Sequence, residues 1–357
     1  MEQYEDETIE GIEDEALETP EVSYDISSYG ADYDTEGLVK RINRGDIEIP
    51  PFQREYVWRI NEASRFIESI LLGLPVPGIF LAKERESNKL LVIDGQQRLK
   101  TLQFFYDGYF NPKVEDKKRT VFALEKVQAR FEGAAYNDLS EDDRRKLNDY
   151  LIHATIIKQE SPADDNTSIY HIFERLNSEG RKLTEQEIRT AIFHGPLIDL
   201  IKELNDYDKW RSIFGKRSVR LRDQELILRF FAFIYAEKDY RKPMTEFLNI
   251  FASKYKKCAA QNVAEMSVIF KKTMECIYEM VGPTAFKLTS NINAAIFDSF
   301  SVGVARRIVA DKDISKTGNA YKKLLANDKY RGYVTVATSD EKNVRERFGI
   351  VESFLDE

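Results

Sequence analysis

Cysteine, histidine and long uncharged runs are all scarce in this chain. Its 357 residues hold two cysteines, Cys258 and Cys276, too few for a disulfide framework or, by themselves, a zinc cluster. The strongest uncharged run, Ser69–Ala82, is 14 residues long and is broken by Pro75 and Pro77, so it cannot span a bilayer. Met1 is followed by acids, not by a basic segment and an apolar stretch, so no secretory signal is read. There is no G-x-x-x-x-G-K-[ST] loop: Gly215-Lys216-Arg217-Ser218 has Trp210 where the first glycine would stand. H-E-x-x-H, G-x-S-x-G and the dinucleotide fingerprint are absent too. These absences predict a soluble, reduced, cytoplasmic protein without a membrane partner.

What is present suffices for a packed core, with 42% hydrophobic and 12% aromatic residues. At about 150 residues per domain the length predicts two domains. The net charge of -8 hides an asymmetry. Residues 1–39 carry 14 acids and no Lys or Arg, and the remaining 318 residues carry a net +6. Such a leader is either solvated and disordered, or it masks a basic groove or contacts a partner. A mildly basic body is compatible with nucleic acid without demanding it.

Periodicity divides the chain into an acidic leader (1–23), an α/β domain (24–160) and a mainly helical domain (168–357), joined by the polar, proline-containing stretch Gln159–Ser168. Leu38, Val39 and Ile42 sit at helical spacing with Gly45 as the stop. Asn61 can cap a helix bearing Phe66, Ile67, Ile70 and Leu71. Strands are expected at Gly78–Lys83, Lys89–Ile93 and Ile152–Lys158, and helices at Gln96–Tyr106 and Glu141–Tyr150. Beyond the junction the expected helices are Ile169–Asn177, Glu185–Phe193, Leu197–Leu204, Asp223–Ala236, Pro243–Lys256, Val263–Met280 and Ile292–Val309. Thr184 and Glu187 form a capping box.

The most informative stretch is Leu90–Leu99, LLVIDGQQRL: a buried strand, a tight turn and a helix start. A helix N-terminus offers unpaired N–H groups and a positive dipole end to an anion. Gly95 permits close backbone approach. Arg98 adds a planar, always-charged fork for phosphate oxygens. Gln96 and Gln97 can donate to phosphate or orient a water, and Asp94 can cap the helix or help hold Mg²⁺. One charge-assisted hydrogen bond is worth about 1.5–3 kcal/mol and a helix end about 0.3–1 kcal/mol. A second cation should therefore converge, and Arg54, after Gln53, is the candidate. The rings around it could stack on a base, or Phe52, Tyr56 and Trp58 could simply be core. In Phe173–Gly180, Phe173 and Leu176 read most simply as core and Asn177 as a helix stop.

IDGQQRLKTL, the upstream IPPFQREYVW and FERLNSEGRKLTEQEIRTAIFHG occur in the order seen in the N-terminal part of GmrSD-type (type IV) restriction enzymes, and the chain resembles that family over residues 24–310. LRDQELILRFFAF and FDSFSVGVA extend the likeness. The resemblance implies an α+β protein, with a ParB/sulfiredoxin-like α/β domain followed by a mainly α-helical one. It implies a module that binds and hydrolyses a nucleoside triphosphate with Mg²⁺ in bacterial defence against modified phage DNA. It assigns phosphate contact and hydrolysis to Asp94, Gly95, Gln96, Gln97 and Arg98, places Gln53 and Arg54 beside the same pocket, and adds Arg175 and Asn177 to the nucleotide site. Many relatives also carry a C-terminal HNH nuclease, which needs a histidine base and metal ligands. Here the histidines are His153, His171 and His194, all upstream of where that domain would lie, so the nuclease is expected to be absent, supplied by a separate partner subunit, or replaced by another activity. The alternatives are a DNA-binding protein or ParB-like nuclease, and a non-enzymatic sensor of nucleotide or modified DNA. A homo-oligomer is compatible with each.

Overall fold

The computed structural model describes residues 9–10, 25–49, 56–84, 88–110, 120–161, 170, 172 and 184–357. Chain packing separates into two compact units, Tyr24–Lys182, and Leu183–Glu357 together with the leader.

The first unit is built on a mixed sheet. Its strands are β1 (Asp25–Asp34), β2 (Ile47–Glu48), β3 (Ile79–Lys83), β4 (Leu90–Asp94) and β7 (Leu151–Ser161), in the order β1-β7-β3-β4-β2. β1 runs antiparallel to β7, β7 parallel to β3, β3 antiparallel to β4, and β4 parallel to β2. A short β5–β6 pair (Tyr109–Phe110, Thr120–Val121) lies apart. Helices α1 (Thr35–Arg44), α2 (Ile60–Leu71), α3 (Gln96–Asp107) and α4 (Glu141–Asp149) supply the rest of the core. Leu38 and Val39, Ile67 and Ile70, and Leu99, Leu102 and Phe105 are the buried stripes of α1, α2 and α3, and they close on Leu81 and Val92 of the sheet.

Local rules explain the ends of these helices. Asp34 caps α1 by accepting from the Gly37 amide at 2.6 Å, and Gly45 ends it at φ +77°. α2 begins one residue before the expected cap, because Glu62 reaches back to the Arg59 amide at 2.7 Å. β1 was not anticipated: most of its residues are exposed, so the apolar alternation that marks a half-buried strand is missing.

The second unit is helical: α5 (Glu185–Ile192), α6 (Pro196–Asn205), α7 (Asp208–Phe214), α8 (Arg222–Ala236), α9 (Met244–Tyr255), α10 (Ala260–Met280), α11 (Ala294–Ile296), a π-helical turn (Phe297–Ser301), α12 (Val302–Val309), α13 (Thr317–Ala326), α14 (Asp328–Thr335) and α15 (Glu341–Asp356). The Thr184–Glu187 capping box is present: the Glu187 amide donates to Thr184 Oγ1 at 3.2 Å and the Thr184 amide to the Glu187 carboxylate at 2.5 Å. Trp210, Phe230, Phe231, Phe270 and Phe297 are fully buried aromatics, linked by four ring contacts through Trp210 and Phe270. The expected helix Ile169–Asn177 falls almost wholly outside the described residues. Ile292–Val309 is not one regular helix, since the π turn interrupts it.

An ion network ties this unit together. Asp298, on the π turn, accepts from Arg229 Nε at 3.0 Å and Nη2 at 2.6 Å, and from Arg347 Nη2 at 3.4 Å. It thereby joins α8, the π turn and α15, and all three groups are buried. Burial disfavours both guanidinium charges. At Arg229 the two-bond grip of Asp298 outweighs it and the pKa is raised, whereas at Arg347, with its single long bond, burial wins and the pKa is lowered. Among the described residues no helix is long and apolar enough to cross a membrane.

Candidate functional site

β4 ends at Asp94, Gly95 turns the chain at φ +103°, and α3 starts at Gln96. The turn is forced by packing. A Cβ on Gly95 would stand 2.5 Å from Ile79 Cγ2 on β3, and L side chains rarely adopt that φ. Gly95→Ala is therefore expected to cost about 1–3 kcal/mol. The check is the urea midpoint of the first unit read through Trp58, one of the chain's two tryptophans; an unchanged midpoint would contradict this account.

The N-terminus of α3 has no side-chain cap and no acid in its first turn. Its leading amides and dipole end are thus not neutralised by the helix's own residues. Arg98 lies across this turn with its side chain 15% exposed. Its Nη2 donates to Asp94 at 2.7 Å, while its buried Nε has no hydrogen-bond partner among the described residues. Asp94 is about half exposed, so their ion pair is solvent-screened and weak.

The two glutamines part ways. Gln96 is buried. Gln97 Oε1 accepts from the Val57 amide at 3.0 Å and the Trp58 amide at 3.4 Å, which ties the segment after Arg54 to the start of α3. That oxygen is committed to backbone, which corrects the expectation that it orients a water. A second link runs beside it. Thr101 Oγ1 donates to the Gln97 carbonyl at 2.7 Å, and so must accept from Tyr56 Oη, also at 2.7 Å. Burial pushes the Tyr56 phenol up to about 12. Tyr56 packs edge-on against Phe104 and Phe110, and Trp58 against Phe66. Tyr56 is part of the core and the part-buried Trp58 packs against it.

Thr101 escaped the sequence reading because a lone threonine on a helix carries no signal until its partner across 45 residues is known. Burial also lowers the pKa of Lys100, two residues after Arg98 in the chain. Gln53, Arg54, Arg175, Asn177 and Phe52 lie outside the described residues. His171 does as well. His153 Nδ1 pairs with Asp32 at 2.8 Å on the exposed β1–β7 ribbon, and His194 stands 4.0 Å from Asp199. Among the described residues no three His, Cys, Asp or Glu side chains converge as a metal cluster. Asp94 is thus a single carboxylate, which suits Mg²⁺ only when phosphate oxygens and water complete its shell.

Comparison with known proteins fits this turn into a family. No curated protein matches the chain. A solved structure described as the C2221 form of a Pnob8-like ParB-N domain is 10% identical, covering 93% of this chain and 100% of its own, with a TM-score of 0.23; so low a score carries no argument. The family model "GmrSD restriction endonuclease, N-terminal domain" matches residues 35–194, which include α1, β4, Gly95 and α3. Over residues 35–194, a little under half of its length, the chain is thus similar to the GmrSD restriction endonuclease N-terminal domain family.

Proposed function

We propose that the first unit binds a nucleoside triphosphate at the N-terminus of α3 and hydrolyses it, and that this cycle gates DNA engagement or a partner nuclease in a restriction system. The observation that carries the reading is the uncapped start of α3 beside the part-buried Arg98, whose Nε has no hydrogen-bond partner among the described residues. Leading amides and Arg98 would receive phosphate oxygens, and Arg54 would supply the second cation. Gln97 and Thr101 hold residues 56–58, which follow it in the chain, against α3. On the strength of the family resemblance, Gln96 would act on the attacking water and Arg175 and Asn177 would lie at the nucleotide. Mg²⁺ would arrive with the phosphates and meet Asp94, where it supplies charge neutralisation.

A panel of nucleoside triphosphates tests this, with equilibrium binding and phosphate release measured in the presence of Mg²⁺. Saturable binding with phosphate release is expected. Binding without release would reduce the protein to a nucleotide sensor. No binding across the panel would remove the reading altogether, and DNA binding as such would then be the function to pursue.

A further inference from the structure

The net +6 of residues 40–357 has one dense source. Residues 209–222 hold six Lys or Arg and no acid. Two of the six are spent inside the helical unit. Arg211 Nη1 donates to the buried Asp223 at 3.0 Å, and Lys209 Nζ stands 4.6 Å from the centre of the Tyr278 ring. The other four, Lys216, Arg217, Arg220 and Arg222, belong to the connection from α7 to α8 and to the first residue of α8. Chain continuity alone keeps them together: at about 3.5 Å per residue, Lys216 and Arg222 cannot be more than about 21 Å apart.

This connection is held in one shape. The Leu221 amide donates to the Ser218 carbonyl at 3.3 Å, closing a turn with Val219 and Arg220 at its tip. Ser218 Oγ accepts from the Arg220 and Arg222 amides, each at 3.2 Å, and the Ser218 amide donates to Asp223 at 3.2 Å. Thr184 Oγ1 donates to the Arg220 carbonyl at 3.1 Å, which fastens the tip to the cap of α5. The backbone is thus ordered before any partner arrives, and binding need not supply that entropy. Two of its cations face solvent. Lys216 and Arg217 are exposed, as is Val219 at the tip. Lys216 has no ion-pair or hydrogen-bond partner among the described residues. Arg217 pairs with Asp206 at 2.5 Å, but both side chains are more than half exposed, so the pair is screened and exchangeable.

We propose that the α7–α8 connection contacts the phosphate backbone of duplex DNA through Lys216 and Arg217. The proposal rests on the DNA engagement invoked above and gives it a surface. Residues 215–221 include no aromatic ring, Asn or Gln. The loop therefore offers cations to phosphate, but no stacking platform for an unpaired base and no side-chain amide for an adenine edge. Such contact positions the duplex without reading its sequence.

The test uses the full chain and two labelled duplexes of about 20 base pairs and unrelated sequence, with affinity measured between about 50 and about 200 mM salt. Lys216→Ala combined with Arg217→Ala is expected to weaken binding at least about tenfold at the lower salt, equally on both duplexes. It should also lower the slope of log affinity against log salt by about 2, close to one counterion per lost phosphate contact. Lys322→Ala combined with Arg331→Ala removes the same charge from exposed residues of α13 and α14 and should leave the slope unchanged. Wild-type affinity and slope in the first variant overturn the proposal and leave DNA engagement standing. Equal losses in both variants overturn it too, since net charge and not this loop is then responsible. A loss confined to one duplex overturns the backbone contact. If wild type binds neither duplex, the DNA reading falls and the proposal falls with it. An unshifted Trp210 unfolding transition confirms that the variants remain folded.

Discussion

Asp298→Asn is expected to destabilise the helical unit by about 3–5 kcal/mol, the usual cost of removing one partner from a buried ion network. The substitution keeps the shape of the side chain but removes the charge that Arg229 and Arg347 share. Glu225, 4.0 Å from Arg229, is the other acid at hand, and one of its oxygens is already buried without a hydrogen-bond partner. It is poorly placed to compensate. Water cannot easily do so either, since Asp298 and Arg347 are fully buried. Trp210 gives a local reporter, because a Trp58→Phe background leaves it as the sole tryptophan. With a urea slope of roughly 1–3 kcal/mol per molar, the midpoint should fall by roughly 1–5 M. A midpoint that does not move would mean that the network contributes nothing to the fold.

Arg98→Ala is expected to abolish nucleotide binding or to cut phosphate release by about 10²–10³-fold, the effect of removing a donor aimed at developing charge. The fold should survive. The Asp94 that loses its partner is half exposed and can be hydrated, and the core contacts of α3 come from Leu99, Leu102 and Phe105. The two readouts must therefore separate: a Trp58-reported urea midpoint near wild type, with activity lost. Wild-type binding and turnover by Arg98→Ala would refute the role assigned to it. Loss of both fold and activity would make Arg98 a structural residue.

How much of this was legible beforehand differed by element. The strand–turn–helix around Gly95 was readable because LLVID, the glycine and LKTLQFF each obey a strong local rule and all point the same way. The Thr184–Glu187 box was readable for the same reason. β1 was not, because its stability comes from pairing with a strand 120 residues later and not from its own pattern. Helices α13 to α15 were missed because charges interrupt their apolar spacing. At the site, residue types were visible but roles were not. Tyr56, Trp58 and Gln97 have the chemistry of ligand contacts, and only tertiary packing shows the first two spent on the core and the Gln97 oxygen on a neighbouring backbone.

The solvent-facing margin of the sheet has a consequence for how copies of this chain meet. β1 is a ten-residue edge strand that begins with Asp25, ends with Asp32 and Asp34, and carries no Lys or Arg. If two molecules zipped together symmetrically head to tail along it, Asp25 of each would face Asp34 of the other. Both ends of such a ribbon would then repel, most strongly in dilute electrolyte, so self-assembly by that route is discouraged without any proline in the strand.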